Sequence, residues 1–241
     1  MRKKVLLYSG GMDSYILSYL EKPDVCLYID VDGIYSKKER ENLILPPYGK
    51  LIIDTLNIGK FERDIGVLPM RNAYFILNAV QYGDDIILGG VEGDRAHDTH
   101  KWFTKLMEWL TNYIWKDDRI NNRLECRGDI KIHLPSKNKT KIELLKEFIE
   151  EGGDPKFLYE SISCYDSKIL HCGKCKACAR KWVAMEHCLI KTEGLFSQNP
   201  ALYFGPYIEQ IENGNYNGQK EDKEILEALT IKKGTGWKEV T

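Results

Sequence analysis

Val5-Leu6-Leu7-Tyr8-Ser9-Gly10-Gly11-Met12-Asp13-Ser14-Tyr15-Ile16-Leu17 decides the fold of this chain. The four apolar residues read as a strand, the glycine pair as a tight turn, and residues 15–20 as a helix. A strand that runs through a Gly-rich turn into a helix N-terminus makes an anion site. Unpaired backbone N–H groups point outward there, and the helix dipole favours negative charge. Gly10 and Gly11 admit turn geometries that a larger residue resists and let phosphate oxygens approach the backbone. Ser9 and Ser14 add hydroxyl donors, and Asp13 can orient the loop or hold a magnesium ion. The stretch is not a G-x-x-x-x-G-K-[ST] loop.

Outward from it, apolar runs alternate with helical patterns. Residues 25–29, 50–55, 85–90 and 130–135 read as further strands, and 72–81, 101–115 and 141–151 as helices. Strands bounded by helices predict an α/β fold: a parallel twisted sheet of about five strands, helices on both faces, right-handed crossovers. Ligands of such sheets sit outside the C-terminal strand ends. Residues 9–14, 30–32, 89–98 and the segment after Leu134 fall on that edge, so four loops are expected around one mouth.

A second signal is Cys164-x7-Cys172-Gly173-Lys174-Cys175-Lys176-Ala177-Cys178. Four thiolates within fifteen residues suit the tetrahedral shell of a structural zinc ion, and Gly173 suits the turn inside the first knuckle. An iron–sulfur cluster is the alternative that C-x2-C-x2-C also allows. Met1-Arg2-Lys3-Lys4 leads straight into the first strand, with no signal peptide or membrane-spanning run. A cytoplasmic, reducing location is therefore expected, which argues against disulfides. His171 and His187 flank the cluster as neighbours, and Cys26, Cys126 and Cys188 lack ligand spacing and read as small apolar residues.

The 241 residues, 43% hydrophobic and 29% charged, fit one large α/β domain with a small appendage. A net charge of −1 argues against strong nonspecific binding of nucleic acid or membrane by the whole molecule. Residues 131–146 form a local basic patch, and residues 221–229 of the polar tail read as a docking helix or a frayed end. Arg71 reads equally as a surface charge or as a forked donor to phosphate or carboxylate, and Asn72 as a helix N-cap. Asp94, His97, Asp98 and His100 read as a solvated loop or as a cluster that binds magnesium or substrate, with His supplying acid–base chemistry. Trp102, Trp109 and Trp115 are expected in the core or on a dimer surface rather than as a base-stacking platform.

Ser9-Gly10-Gly11-Met12-Asp13-Ser14 resembles the PP-loop of N-type ATP pyrophosphatases, which split ATP between its α- and β-phosphates to activate a carbonyl oxygen as an adenylate. Further motifs resemble the 7-cyano-7-deazaguanine synthases, the QueC family of queuosine precursor biosynthesis. They are Leu68-Pro69-Met70-Arg71-Asn72, residues 89–94, and Leu134-Pro135 followed by Lys139-Thr140-Lys141-Ile142-Glu143. The most specific piece is Ser163-Cys164-Tyr165 with His171-Cys172-Gly173-Lys174-Cys175-Lys176-Ala177-Cys178 and Arg180. The resemblance covers roughly residues 4–190. It implies a PP-loop ATP-binding domain over residues 1–150 and a zinc-binding region with a helical tail over 151–241. It also implies ATP, Mg2+ and a structural Zn2+ as cofactors, a deazapurine carboxylate and ammonia as substrates, and a homodimer. On this resemblance Ser9, Gly10, Gly11, Asp13, Ser14 and Lys141 bind the nucleotide, with Asp13, Arg71 and Asp98 catalytic. Arg71, Asn72, Asp94, His97, Asp98, His100 and Phe103 bind the second substrate, and Cys164, Cys172, Cys175 and Cys178 bind the metal.

The chain also departs from the family. Gly33-Ile34-Tyr35-Ser36 stands where a Tyr-Gly-Gln type motif is usual, and Thr99 and His100 replace Cys and Arg in a shortened loop that keeps the Asp98-to-Phe103 spacing. Three readings follow: the synthase; a related enzyme that stops at the amide or adenylates another acceptor such as a tRNA base or a protein; and a non-catalytic nucleotide-binding protein. No glutaminase module fits this length, so nitrogen is expected from free ammonia or a partner.

Overall fold

A computed structural model describes residues 2–63, 67–94, 97–116, 129–164, 166 and 171–233. The chain divides into two compact units, residues 1–90 with 95–137, and residues 91–94 with 138–241. The sequence-based boundary at residue 150 grouped residues 141–150 with the ATP-binding half, whereas here they cluster with the second unit. Cys126 and Tyr165 lie outside the described residues.

The first unit is built on five strands: β1 (Lys4–Leu7), β2 (Val25–Asp30), β3 (Lys50–Thr55), β4 (Asp85–Ile87) and β5 (Lys131–His133). All pair in parallel, in the order β3-β2-β1-β4-β5. The register sets Val5 beside Val25 and Ile86, and Ile86 beside Ile132, so one face presents a continuous β-branched surface. Ile76 and Val80 from the α3 region (Arg71–Ala79) and Met107 of α4 (Lys101–Lys116) pack into that face. Leu6, Cys26, Tyr28 and Ile87 alternate to the other face and are buried there, where α1 (Met12–Glu21) packs on β1 through Ile16 and Leu17. Order reverses at β1, with β2 on one side and β4 on the other. The turn after β1 therefore opens at the topological switch point.

Residues of α2 (Ser36–Glu41), Ser-Lys-Lys-Glu-Arg-Glu, carry no apolar period to announce it. Trp102 and Trp109 are exposed, which corrects a core reading for both, while Trp115 packs against the sheet core. The basic run at 131–146 is partly neutralised: Lys131 lies 3.4 Å from Glu108, and Lys139 lies 2.5 Å from Glu147.

The second unit is helical: α5 (Lys141–Glu150), α6 (Phe157–Glu160), α7 (Lys176–His187), α8 (Ile208–Glu212) and α9 (Gln219–Lys233). Thr140 and Glu143 form a capping box at the start of α5. Helix α7 packs on α5 and α9 around Trp182, which meets the Phe204 ring at 6.5 Å. The tail helix α9 buries Ile225 and Ala228 against this unit, so it is docked rather than frayed. Among the described residues no helix is long and apolar enough to cross a membrane.

Because Ile86 is fully buried between two parallel neighbours, Ile86→Ala should cost about 2–5 kcal/mol. Urea unfolding followed by circular dichroism measures it. An unchanged midpoint would mean that this face is not the organising core.

Candidate active site and metal centre

The turn after β1 is held by its own hydroxyls. The Ser9 N–H donates to Ser14 Oγ at 3.2 Å, and Ser14 Oγ donates to the Gly11 carbonyl at 3.1 Å. That spends the single Ser14 proton, so Ser9 donates across the 3.1 Å between the two hydroxyls. Both serines, expected as donors to a ligand, here shape the loop. Gly11 precedes α1 in extended conformation with no side-chain cap, leaving the first turn of α1 to backbone N–H groups, with Asp13 in that turn. Gly10 has φ +71, and a Cβ there would fall 2.8 Å from Leu43 Cδ1. At the end of β2, Asp30 accepts from Arg40 Nη1 at 3.3 Å and from the Asp32 N–H at 2.9 Å.

Arg71, Asn72 and Asp98 come together in the same unit. Helix α3 starts at Arg71, and its N-cap is Met70 at φ 59, not Asn72. Met70 has no side-chain oxygen to cap with, so Asp98 supplies one from a separate turn: its Oδ2 accepts from the Asn72 N–H at 3.4 Å. Asn72 Nδ2 returns a bond to the Asp98 carbonyl at 3.3 Å. The Arg71 guanidinium lies 5.9 Å over the Phe75 ring. His97 and His100 are exposed with ring centroids 6.0 Å apart, whereas Phe103 is half-buried against the sheet core. Residues 9–14, 30–32 and 97–103 belong to the first unit; Asp94 and Lys141 belong to the second.

In the second unit Asp94 accepts from the Val91 N–H at 3.0 Å and from Arg180 Nη1 at 2.9 Å. Burial pushes its carboxyl up, but the charges of Lys141 and Arg180 outweigh that and hold it below the ordinary carboxylate range. Lys141 is the first residue of α5, directly after the Thr140 cap.

The four expected cysteines converge. Their sulfurs all lie within 4.8 Å of one another, and Cys172 and Cys178 are 4.0 Å apart. A tetrahedral zinc site with bonds of about 2.3 Å needs sulfurs about 3.8 Å apart, so the residues fit a metal ion. Cys164 Sγ accepts from the backbone of Asp166 at 3.3 Å and of Cys172 at 3.4 Å, the support a thiolate needs. Crowding splits the thiols: bonds from Cys175 and Cys178 pull Cys164 far down, and the Cys164 bond pushes Cys178 far up. Gly173 has φ +75, and a Cβ there would lie 2.0 Å from the Gln198 carbonyl, so the knuckle demands glycine. His171 is a neighbour, its Nε2 3.2 Å from the Tyr159 carbonyl, and His187 Nε2 lies 2.8 Å from the Glu224 carbonyl. Cys26 is buried as expected, and burial pushes its thiol up to about 12; Cys188 is half-buried.

Sequence reasoning missed two supporting groups. Lys181 is 2% exposed, and its ammonium donates to the carbonyls of Leu158 and Ser161 and to Ser161 Oγ, pinning the segment that leads to Cys164. Burial pushes its pKa down to about 7. Glu221 binds both Arg180 Nε and Nη2, at 2.6 and 3.0 Å.

A family model described as queuosine biosynthesis protein QueC matches residues 48–189, more than half of the chain. The chain belongs to the QueC family. The matched segment holds Arg71, Asn72, Asp94, Asp98, Lys141 and all four clustered cysteines, while residues 9–14 precede it. A 7-cyano-7-deazaguanine synthase 2 of Colwellia psychrerythraea is 27% identical over 215 residues, covering 77% of this chain and 94% of its own length. A 7-cyano-7-deazaguanine synthase of Rickettsia conorii is 28% identical over 217 residues, covering 73% and 91%. One of Nitratiruptor sp. is 27% identical over 210 residues, covering 73% and 90%. No solved structure matches the chain significantly.

With four thiolates sharing one ion, Cys175→Ser should lower zinc content and solubility together. Elemental analysis of the purified protein reads this out. A stable variant with full zinc would remove Cys175 from the ligand set.

Proposed function

We propose that the protein is a ligase that uses ATP and ammonia to convert 7-carboxy-7-deazaguanine to the amide and then to 7-cyano-7-deazaguanine. The observation that carries this is membership of the QueC family, whose relatives are named for that product. The Gly-rich turn at the switch point of the sheet supports it, since a pyrophosphate can be met there by backbone N–H groups.

In the proposed reaction a carboxylate oxygen of the substrate attacks the α-phosphorus of ATP, and pyrophosphate leaves. Ammonia then attacks the activated carbonyl carbon and AMP leaves, giving the amide. A second ATP activates the amide oxygen, and loss of that oxygen with AMP and of the amide protons gives the nitrile. Residues 9–14 hold the departing pyrophosphate, with Asp13 as the carboxylate that would hold magnesium. Magnesium would offset the charge that develops on the phosphate oxygens. Lys141 answers phosphate charge from the N-terminus of α5. Arg71 and Asn72 bind the acceptor, with Asp98 holding Asn72 in place and His97, His100 and Phe103 beside Asp98 in the chain; on the family resemblance Asp94 is also an acceptor-binding residue. Four thiolates spaced for a tetrahedral shell leave no open position, which supports a structural zinc. Such reduced thiolates belong in a reducing compartment such as the cytoplasm.

The homodimer is assigned to an exposed stripe on α4. Trp102, Leu106, Trp109 and Tyr113 are 64–83% exposed, and the last two rings stack at 5.5 Å. An antiparallel two-fold between residues 107 and 108 sets Trp102 against Tyr113 of the partner subunit and Leu106 against the partner's Trp109. The stripe is thus self-complementary. It offers roughly 600 Å² per subunit, against about 800 Å² in a standard interface. Leu106→Glu with Trp109→Glu should convert the dimer to a monomer by light scattering on a sizing column. A dimer that survives both changes would move the interface elsewhere.

Mass spectrometry of a reaction with ATP, magnesium, ammonium and 7-carboxy-7-deazaguanine should find nitrile, AMP and pyrophosphate. Asp13→Ala should abolish AMP formation and leave the circular dichroism spectrum unchanged. Amide alone would mark an enzyme that halts after one activation, and no turnover by zinc-loaded protein would overturn the reading.

A further inference from the structure

Helix α9 lies C-terminal to the segment that the QueC family model matches, yet its first turns bind both loops that carry Asp94 and Lys141. Arg180 is 9% exposed, and a guanidinium so far out of water needs carboxylates arranged around its plane. Glu221 grips two of its nitrogens, which fixes that plane, and the remaining donors then point at the Glu92 carbonyl, 3.0 Å away, and at Asp94 Oδ1. The loop leaves no slack against this carboxylate. Gly93 has φ +86, and a Cβ there would fall 1.8 Å from Glu221 Oε2.

Three residues on, Glu224 Oε1 accepts from the Thr140 hydroxyl at 2.7 Å. The hydroxyl has only one proton, so its lone pairs are left to accept the Glu143 N–H at 3.3 Å and cap α5. Lys220 joins the two loops from the same helix, 2.6 Å from Glu143 and 3.6 Å from Glu92. Helix α9 is itself fixed at its start, where Asp222 accepts from the N–H groups of Tyr216 and Asn217.

We propose that α9 is a positioning element for the ligase site: Glu221, through Arg180, sets Asp94, and Glu224, through Thr140, sets the helix start that carries Lys141. Neither glutamate touches substrate. The proposal rests on the reading of Asp94 and Lys141 as substrate- and nucleotide-binding residues.

The test uses the full chain with Glu221→Gln and Glu224→Gln, which keep shape and remove charge. Amide hydrogen exchange should quicken at residues 91–94 in the first variant and at 140–143 in the second, with 172–178 unchanged. Loss of the charge-assisted contact in the first variant should raise KM for the carboxylate substrate about tenfold, and the weakened Thr140 contact in the second should raise KM for ATP by a smaller factor of about three, with kcat within about threefold in both. In an Asp94→Asn background Glu221→Gln should add nothing, because Glu221 acts on the substrate only through Arg180 and Asp94. Additive losses, or unchanged exchange and KM, would overturn the proposal. Wild-type kinetics in Asp94→Asn alone would overturn the role given to Asp94; the exchange data decide separately whether α9 holds the loops. The milder Glu224→Gln, at a half-buried position, keeps the test open if Glu221→Gln does not fold.

Discussion

Strand β1 is hydrogen-bonded in parallel on both sides, to β2 and to β4, and this double pairing governs the first unit. It is only four residues long, so its carboxyl end falls where the two halves of the sheet part. A parallel sheet must return each strand through a crossover, and helices on both faces follow from that need. The Gly-rich turn sits at the parting because the chain has to leave the sheet there and enter α1 at once. Gly10 at positive φ, pressed against Leu43, makes the turn that tight. The backbone N–H groups of that helix start lie at the edge where parallel sheets hold ligands.

The second unit answers a different problem, that of burying charge. It encloses Arg180, Lys181 and four sulfurs with little regular structure other than short helices. Each is answered locally. Arg180 has Asp94 and Glu221, Lys181 has carbonyl and hydroxyl oxygens from residues 158 to 161, and the sulfurs are spaced as a shared metal ion requires. Replacing any one partner leaves an uncompensated group out of water, which costs several kcal/mol. Specificity of the fold here comes from polar pairing as much as from apolar area.

Legibility in the sequence followed the range of the interaction. The five strands, the helices over residues 72–81, 101–115 and 141–151, and the turn at 9–14 were readable because their causes are local: runs, periods and glycines. The cysteine cluster was readable because its knuckle spacing is itself the signal, with only Cys164 brought in from eight residues away. Family resemblance added the roles, which no spacing contains. Other features were not readable. Asp98 caps a helix 26 residues before it, and Glu221 grips an arginine 41 residues before it, and such polar contacts leave no periodic trace. Met70 in left-handed conformation was equally silent, since methionine carries no preference for it.

The position of α9 in the chain sets an order of events during synthesis. Domains take shape from the N-terminal side as the chain is made, at about 5–20 residues per second. Residues 91–94 and Arg180 are therefore synthesised before Glu221, which joins them. Until it does, Arg180 has one carboxylate instead of two, and the Gly93 turn lacks the carboxylate it lies against. The second unit is thus completed from its far end, and a nascent chain without residues 219–233 holds the cysteines but not the finished loop.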